Sequence, residues 1–113
     1  MDTLTNEKLN TDKIFLKNLK SDFEYQNQAI LIKTILREQG ANIILFIIDE
    51  KQGLMEHSAS SDAIVYILEG NIEFKVSEKN YCLTEGNVMK LQSGIPHSFI
   101  AVEKTKMLLI IFN

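Results

Sequence analysis

The sequence is short of several residues on which small proteins commonly depend. It has one cysteine, one proline and no tryptophan in 113 residues. A single cysteine excludes an internal disulfide, so the fold must be held by a hydrophobic core. The longest apolar runs, 43–48 and 107–112, are far shorter than the roughly 20 residues with which a helix crosses a bilayer. We therefore expect a globular domain rather than a membrane protein.

An excess of charge of one sign is also lacking. The 12 basic and 15 acidic residues are interspersed, so there is no basic face for nucleic-acid phosphates and no polybasic segment for anionic lipid. The sequence does not begin with a positively charged segment followed by an apolar one, and the lone Cys82 suits a reducing compartment. We expect a cytoplasmic protein that binds neither nucleic acid nor membrane.

The length favours one domain. Residues 1–12 are polar without a periodic apolar face, which predicts a mobile tail ahead of a single domain over 13–113. Apolar residues within 13–19 predict one or two helical turns behind Thr11 or Asp12 as N-cap. Phe23 and Tyr25 then alternate with polar residues, as in an edge strand.

From residue 29 onward, short β-prone segments are separated by turn signals. The segments lie at 29–36, 42–48, 63–68, 72–76, 81–83, 88–91, 97–102 and 107–112. No long helical period follows residue 28, so the sequence predicts an all-β antiparallel sandwich or barrel of about nine strands. Glu69-Gly70-Asn71 predicts a tight reversal between two of the strands.

Segment 63–68 is apolar on both faces, which predicts a strand inside a two-layer structure. By alternation, Ala63, Val65 and Ile67 share one face, and Ile64, Tyr66 and Leu68 share the other. Cys82, within an apolar run and far in sequence from either histidine, is expected to be a buried, unreactive thiol. The methionines Met55, Met89 and Met107 and the aromatic residues Phe46, Tyr66 and Phe99 are expected mainly in the core.

The two histidines lie in two stretches punctuated by glycine. The first has the spacing Gly-x3-His-x12-Gly, with His57 between Gly53 and Gly70, and the second has Gly-x10-His, from Gly86 to His97. The proline before His97 cannot donate to a sheet ladder and belongs at a strand start, after which His97 and Phe99 would face the same way. We predict that the two stretches meet in space and line one pocket.

These motifs resemble the two motifs of the cupin superfamily. The segment 65–70, Val-Tyr-Ile-Leu-Glu-Gly, is similar to the Val-Leu-Glu-Gly signature, and 94–99, Gly-Ile-Pro-His-Ser-Phe, is similar to the Gly-x-Pro-His end. The resemblance implies a double-stranded β-helix, a small jelly-roll barrel with a pocket at its mouth and a short N-terminal extension. It also implies a homodimer, in which a partner would cover exposed strand edges and the 29–36 segment.

The resemblance departs from the family at the metal ligands. Metal-binding cupins have His-x-His-x3-Glu in the first motif and His in the second, a set that holds iron, manganese, nickel or zinc. In this sequence the four positions are His57, Ala59, Ala63 and His97, and two imidazoles leave a metal exchangeable. Asp62 and Glu56 have the wrong strand parity to replace the missing ligands, unless a bulge in 58–61 re-aims Asp62. Some small cupins share this His-x-Ala-x-x-Asp-Ala pattern.

Three functions remain open. In the first, the barrel binds a small organic ligand between the histidines without a tight metal, through His57, His97, Phe99, Ala59, Ala63 and Phe46. In the second, His57 and His97 hold a weak divalent transition metal for isomerase or oxygenase chemistry. In the third, the barrel is purely structural, its histidines satisfied by hydrogen bonds and its Ser58, Ser60 and Ser61 part of a solvated loop. The sequence does not decide whether the protein is an enzyme.

Overall fold

The computed structural model describes residues 14–113, which form nine strands and no helix. The strands are β1 (Ile30–Glu38), β2 (Ala41–Ile48), β3 (Gly53–His57), β4 (Ala63–Glu69), β5 (Asn71–Val76), β6 (Lys79–Thr84), β7 (Val88–Leu91), β8 (His97–Ala101) and β9 (Thr105–Phe112). They form two antiparallel sheets, one in the order β1-β2-β9-β4-β7 and the other in the order β3-β8-β5-β6. The all-β prediction is confirmed. The predicted tail, residues 1–12, lies outside the described residues.

The two sheets face each other across an interior filled with apolar side chains. Phe46 of β2 contacts Phe99 of β8 edge to face, with ring centroids 6.1 Å apart, and Phe99 contacts Phe74 of β5 at 5.2 Å. The interior consists of Phe46, Ile48, Val65, Ile67, Ile72, Phe74, Leu83, Leu91, Phe99, Ala101 and Met107. Burial of these residues supplies the main driving force for folding. The aromatic contact lies near one end of the barrel, because Phe99 is two residues from the start of β8.

The β4 strand has the faces that its alternation predicts. Ala63, Val65 and Ile67 are buried in the interior. The opposite face is only partly covered, since Tyr66 is 37% exposed. The prediction that Tyr66 lies in the core is therefore wrong. Leu68, on the same face as Tyr66, packs beneath the N-terminal segment.

The sequence predicted a tight reversal between two strands at Gly70. Instead, Gly70 lies at a corner where the chain passes from one sheet to the other. Its φ is +109°, and a β-carbon would overlap the carbonyl oxygen of Lys104 and the side chain of Thr105. Glycine tolerates that backbone conformation and leaves room for the neighbouring chain. The chain therefore leaves β4 in one sheet and enters β5 in the other.

The segment 14–29 covers the outer face of the five-stranded sheet. It contains neither the predicted helical turns nor the predicted edge strand; the proposed N-caps lie outside the described residues. The side-chain oxygen of Asn18 accepts hydrogen bonds from the backbone N–H groups of Lys20 and Ser21, both at 3.0 Å, which favours a turn over a helix. The apolar side chains of the segment, Phe15, Leu19, Phe23 and Tyr25, pack against Ile35, Leu45 and Ile47.

A buried polar cluster fastens this segment to the sheet. Lys106 of β9 is 4% exposed, and its ammonium group donates to the backbone carbonyls of Lys20 and Phe23. The same ammonium group lies 3.9 Å from the carboxylate of Glu69, which accepts a hydrogen bond of 2.6 Å from the Tyr25 hydroxyl. Burial, followed by the bond to Glu69, raises the pKa of the Tyr25 hydroxyl above its ordinary range.

Candidate functional site

The first histidine lies on β3, a strand that the sequence did not predict. Gly53 pairs with Ile100 and Leu54 with Phe99 of β8, but His57 pairs with His97. Two residues of β3, Met55 and Glu56, therefore stand opposite one residue of β8, which is a β-bulge. In an unbroken strand, residues 54 and 57 would face opposite sides of the sheet. The bulge turns His57 to the inner side, where Leu54 and His97 also lie.

The backbone of β3 can approach β8 closely because residue 53 is glycine. A β-carbon at Gly53 would overlap the carbonyl oxygen and carbon of Phe99 and the α-carbon of Ile100. These are backbone atoms, which cannot move aside as a flexible side chain could. The glycine of the first motif thus brings the strand of His57 against the strand of His97.

The two imidazole rings meet at the end of the barrel. Their centroids are 4.3 Å apart and their planes are inclined by 63°. His97 is buried, as is Phe99 two residues later on the same face, whereas His57 on the edge strand is exposed. The prediction that His97 and Phe99 face the same way is confirmed. The two histidine stretches are adjacent, as their spacing had suggested.

Each ring is oriented by a hydrogen bond to the backbone carbonyl two residues earlier in the chain. Nδ1 of His57 lies 2.8 Å from the carbonyl oxygen of Met55, and Nδ1 of His97 lies 3.0 Å from that of Ile95. A carbonyl oxygen can only accept, so each Nδ1 must carry the proton and donate. When such a ring is neutral, its lone pair is on Nε2.

The loops around the histidines are connected to one another by hydrogen bonds from backbone N–H groups. The N–H of Gly94 donates to the carbonyl of Ala59 at 2.8 Å, and the N–H of Ser93 donates to the Asp62 carboxylate at 2.8 Å. Asp62 also lies 3.9 Å from the Lys90 ammonium. Asp62 therefore joins the β3–β4 and β7–β8 loops, and its carboxylate is engaged away from the imidazoles.

Comparison with protein families matches a cupin domain to residues 45–112. The chain belongs to the cupin family. Similar solved structures include a conserved protein of unknown function from Streptococcus pyogenes, with 30% identity and a TM-score of 0.81 over 92% of this chain and 91% of that one. A cupin superfamily protein from Desulfitobacterium hafniense has 18% identity and a TM-score of 0.80 over 96% and 98% of the two chains.

A third similar structure comes from a longer protein. A cupin 2 conserved barrel domain protein from Leptotrichia buccalis has 28% identity and a TM-score of 0.80. The alignment covers 86% of this cupin but only 47% of that chain. No curated protein matches this cupin. The comparisons therefore show the family and the jelly-roll barrel but assign no activity.

The donors at this end of the barrel do not fit a resident metal. At the two positions where other cupins have a second histidine and a glutamate, Ala59 and Ala63 offer no donor atom. Within residues 14–113, no cluster of three or more His, Cys, Asp or Glu side chains could hold a metal ion. A tightly held catalytic metal normally has at least three protein ligands. The two imidazoles by themselves would leave a metal exchangeable.

The remaining residues expected at the site lie at different depths. Phe46 and Phe99 are buried and form the aromatic floor beneath the histidines. Ala63, at the start of β4, is also buried. Ala59 is exposed in the β3–β4 loop, together with Ser58 and Ser60, so its place is at the rim.

Besides Tyr66, two residues were wrongly expected to be buried. Met55, expected in the core, is 89% exposed because it belongs to the bulge, whereas Met89 and Met107 do pack in the interior. Cys82 is exposed and not buried. Since Leu83 faces the interior, alternation directs Cys82 outward, where its thiol donates to the side-chain oxygen of Asn71 at 3.2 Å.

A separate groove of about 420 Å³ crosses the outer face of the four-stranded sheet. Met55, Glu73, Lys75, Ser98 and Ile100 are among the residues that line it. Neither histidine lines this groove.

Among the described residues there is no helix long and apolar enough to span a bilayer.

Proposed function

We propose that this cupin is a binding module that holds a small organic ligand against His57 and His97 without a tightly bound metal. One observation supports the proposal above all: the two rings lie 4.3 Å apart, and each Nδ1 is bonded to a backbone carbonyl. Both side chains are fixed in one tautomer with Nε2 unused. Preorganised polar groups above an apolar floor are typical of ligand sites.

The proposed ligand contacts combine hydrogen bonding with apolar packing. Two neutral imidazoles present acceptors, so they pair with a hydroxyl or amine hydrogen of the ligand. Phe99 and Phe46 supply apolar surface below them, and Ala59 and Ala63 leave space where larger donor side chains occur in metal-binding cupins. The small residues therefore favour an organic molecule in the volume that a metal and its ligands would fill.

Two kinds of substitution distinguish ligand binding by Nε2 from the structural hydrogen bond that Nδ1 makes. Asparagine places an amide N–H roughly where histidine has Nδ1, whereas glutamine reaches roughly to the position of Nε2. In a thermal-shift screen of metabolites, we expect a stabilising compound whose effect is lost in His57→Asn and His97→Asn and is partly kept in His97→Gln. If no compound stabilises the protein and the variants unfold like the wild type, the purely structural barrel is the better account.

A second candidate is a metal-dependent cupin enzyme of isomerase or oxygenase type with this incomplete site. It is supported by the same hydrogen bonds, because a metal-bound imidazole usually donates its other nitrogen to a carbonyl or carboxylate. Element analysis of untagged protein purified without chelator tests it. One metal ion per chain would favour this candidate, and substoichiometric metal after supplementation would eliminate it.

We further propose a homodimer in which a second copy covers the β1 edge. The proposal is supported by the nine-residue length of this open edge strand and by Ile32, which is 55% exposed. Proteins usually protect long apolar edges from uncontrolled pairing. Light scattering after gel filtration should give twice the chain mass, and Ile32→Glu should give monomer while Lys33→Glu does not. A monomeric wild type would contradict the proposal.

We also propose a cytoplasmic location, which is supported by the exposed thiol of Cys82. A solvent-accessible cysteine without a pairing partner persists in a reducing compartment and becomes oxidised outside it. Cell fractionation, combined with thiol labelling of the isolated protein, tests this location. Recovery in a secreted fraction would contradict it.

A further inference from the structure

Asn42 of β2 faces the interior at the histidine end of the barrel. The pairing of β2 with β9 is regular from Ala41 to Ile48, so alternate residues share a face. Phe46 and Ile44 pack in the interior, and Asn42 is the next residue on that face. The start of β2 lies at the histidine end because it pairs with Phe112, whose N–H donates to the carbonyl of Asp62 in the β3–β4 loop at 3.0 Å.

The side-chain oxygen of Asn42 is buried without a hydrogen-bond partner among the described residues. A buried carbonyl that has lost water and gained no donor destabilises the fold, and such groups are few in native proteins. On its face of the sheet, Asn42 has Ile44 along the strand, Ile111 across it on β9 and Arg37 across it on β1. The amide is therefore poorly explained as a packing residue.

The contact between Phe46 and Phe99 shows how Asn42 stands relative to the histidines. These two rings touch across the interior, one from each sheet. His97 is two residues from Phe99 toward the barrel end, about 7 Å at the usual rise, and Asn42 is four residues from Phe46 in the same direction, about 13 Å. Asn42 thus lies on the opposite wall and nearer the rim. A molecule resting on the imidazoles would extend toward it.

We infer that the Asn42 side-chain oxygen is a third hydrogen-bond acceptor of the ligand site and that the ligand is a polyhydroxylated small molecule. This inference rests on the proposed function. Two Nε2 atoms on one wall and an amide oxygen on the other all need hydrogens from the ligand, and several hydroxyl groups on one carbon frame supply them. A carboxylate without hydroxyl groups supplies none.

Removal of the unsatisfied oxygen has a consequence that does not depend on the ligand. Asn42→Leu replaces the amide by an apolar group of similar size, so the unliganded protein should become more stable. We expect the Tm to rise by about 4 °C or more. Asn80→Leu, at an exposed position on the outer groove, is the matched control, and its Tm should change less. A lower Tm for Asn42→Leu would overturn the inference, since the amide would then be structural.

Binding is measured with glucose and myo-inositol as probes and succinate as the hydroxyl-free comparison. In titrations followed by amide NMR, both polyols should shift the resonances of Asn42, His57 and His97, and succinate should not. Asn42→Leu should weaken polyol binding at least tenfold, as expected for one hydrogen bond, while Asn42→Asp retains the acceptor and most of the affinity. Asn80→Leu should bind like the wild type.

The outcomes distinguish this inference from the proposed function. If polyols shift both histidines but bind Asn42→Leu as tightly as the wild type, only the role of Asn42 is overturned. If succinate or another acid shifts the histidines and polyols do not, the ligand class is overturned and the histidine site remains. If no small molecule affects either histidine, both the inference and the proposed function fail.

Discussion

His57 stands opposite His97 on the β3–β8 ladder because β3 has one residue more than β8 between two pairs of the ladder. The extra residue reverses the parity of the strand after Leu54, and the imidazole that would otherwise face solvent on the outer side turns to the inner side. The relationship between the histidines is therefore a property of the residue count in β3, not only of the histidine spacing.

The role of the extra residue in β3 can be tested by deleting it. Without Met55, the strand becomes regular and His57 still falls opposite His97. We expect the two rings to show the same proton–proton nuclear Overhauser contacts, with a loss of less than about 1 kcal/mol, since the Met55 side chain is exposed. Insertion of alanine between Met55 and Glu56 should abolish those contacts. If deletion of Met55 abolished the contacts between the two rings, the bent backbone of the bulge would itself be required to place His57 beside His97.

Gly53→Ala should separate β3 from β8. The new β-carbon would overlap backbone atoms of Phe99 and Ile100, so the strand must move outward and carry His57 with it. We expect a loss of about 2 kcal/mol or more in the free energy of unfolding. Met55→Ala is the control, because it changes an exposed side chain of the same strand without placing an atom against β8. Equal losses in urea unfolding would mean that the close approach is unimportant.

Tyr25 and Lys106 should act together in holding the N-terminal segment. Tyr25→Phe removes the hydrogen bond to Glu69 and should destabilise the protein by about 1 kcal/mol. Lys106→Met removes the cation beside Glu69 and the donor to the carbonyls of Lys20 and Phe23, which should cost about 3 kcal/mol. Trypsin cleavage at Lys17 and hydrogen exchange over residues 14–29 should both become faster in Lys106→Met. Unchanged exchange there would show that apolar packing alone retains the segment.

The raised pKa of Tyr25 predicts a dependence of stability on alkaline pH. The folded protein favours the neutral hydroxyl of Tyr25. The resulting contribution to the free energy of unfolding is therefore present below the ordinary tyrosine pKa of about 10. It is lost as the pH rises above that value. Unfolding between pH 8 and 11 should show this loss in the wild type and a smaller loss in Tyr25→Phe. Parallel curves would contradict the assignment to Tyr25.

Asp49 predicts the corresponding dependence in acid. The backbone N–H of Gln28 donates to its carboxylate at 2.7 Å and holds the pKa of that carboxyl below its usual range. The stabilisation is present above about pH 4 and is lost as the pH falls through the lowered pKa. Asp49→Asn should lose stability at pH 7 and approach the wild type near pH 2. Glu50→Gln, which removes a neighbouring exposed charge, controls for net charge.

Most of the strands could be predicted because their patterns are local. The apolar runs of β2 and β9 and the turn around Ser77 identify elements without any knowledge of the partners. β3 could not be found in this way. Leu54-Met55-Glu56-His57 neither alternates cleanly nor contains β-branched residues, and its extended form depends on pairing with β8, which is distant in sequence.

The site was predicted from spacing in part, and alternation could have added more. The meeting of the two histidine stretches was expected, but the bulge that places His57 opposite His97 has no local signal. Cys82 and Asn42 are different, because strand alternation places Cys82 on the face opposite to its neighbour Leu83 and Asn42 on the same face as Phe46. The N-terminal segment shows the limit of this rule: Phe23 and Tyr25 do share a buried face, but their backbone belongs to no sheet.

The central position of β9 in the five-stranded sheet affects how the protein is made. β2 and β4 are separated only by Thr105–Phe112, so neither half of that sheet can be completed while the ribosome is still adding residues before 105. Until then the apolar edges of β2 and β4 have no partner, and such edges are prone to wrong association. Chaperone dependence during synthesis should therefore end when β9 emerges.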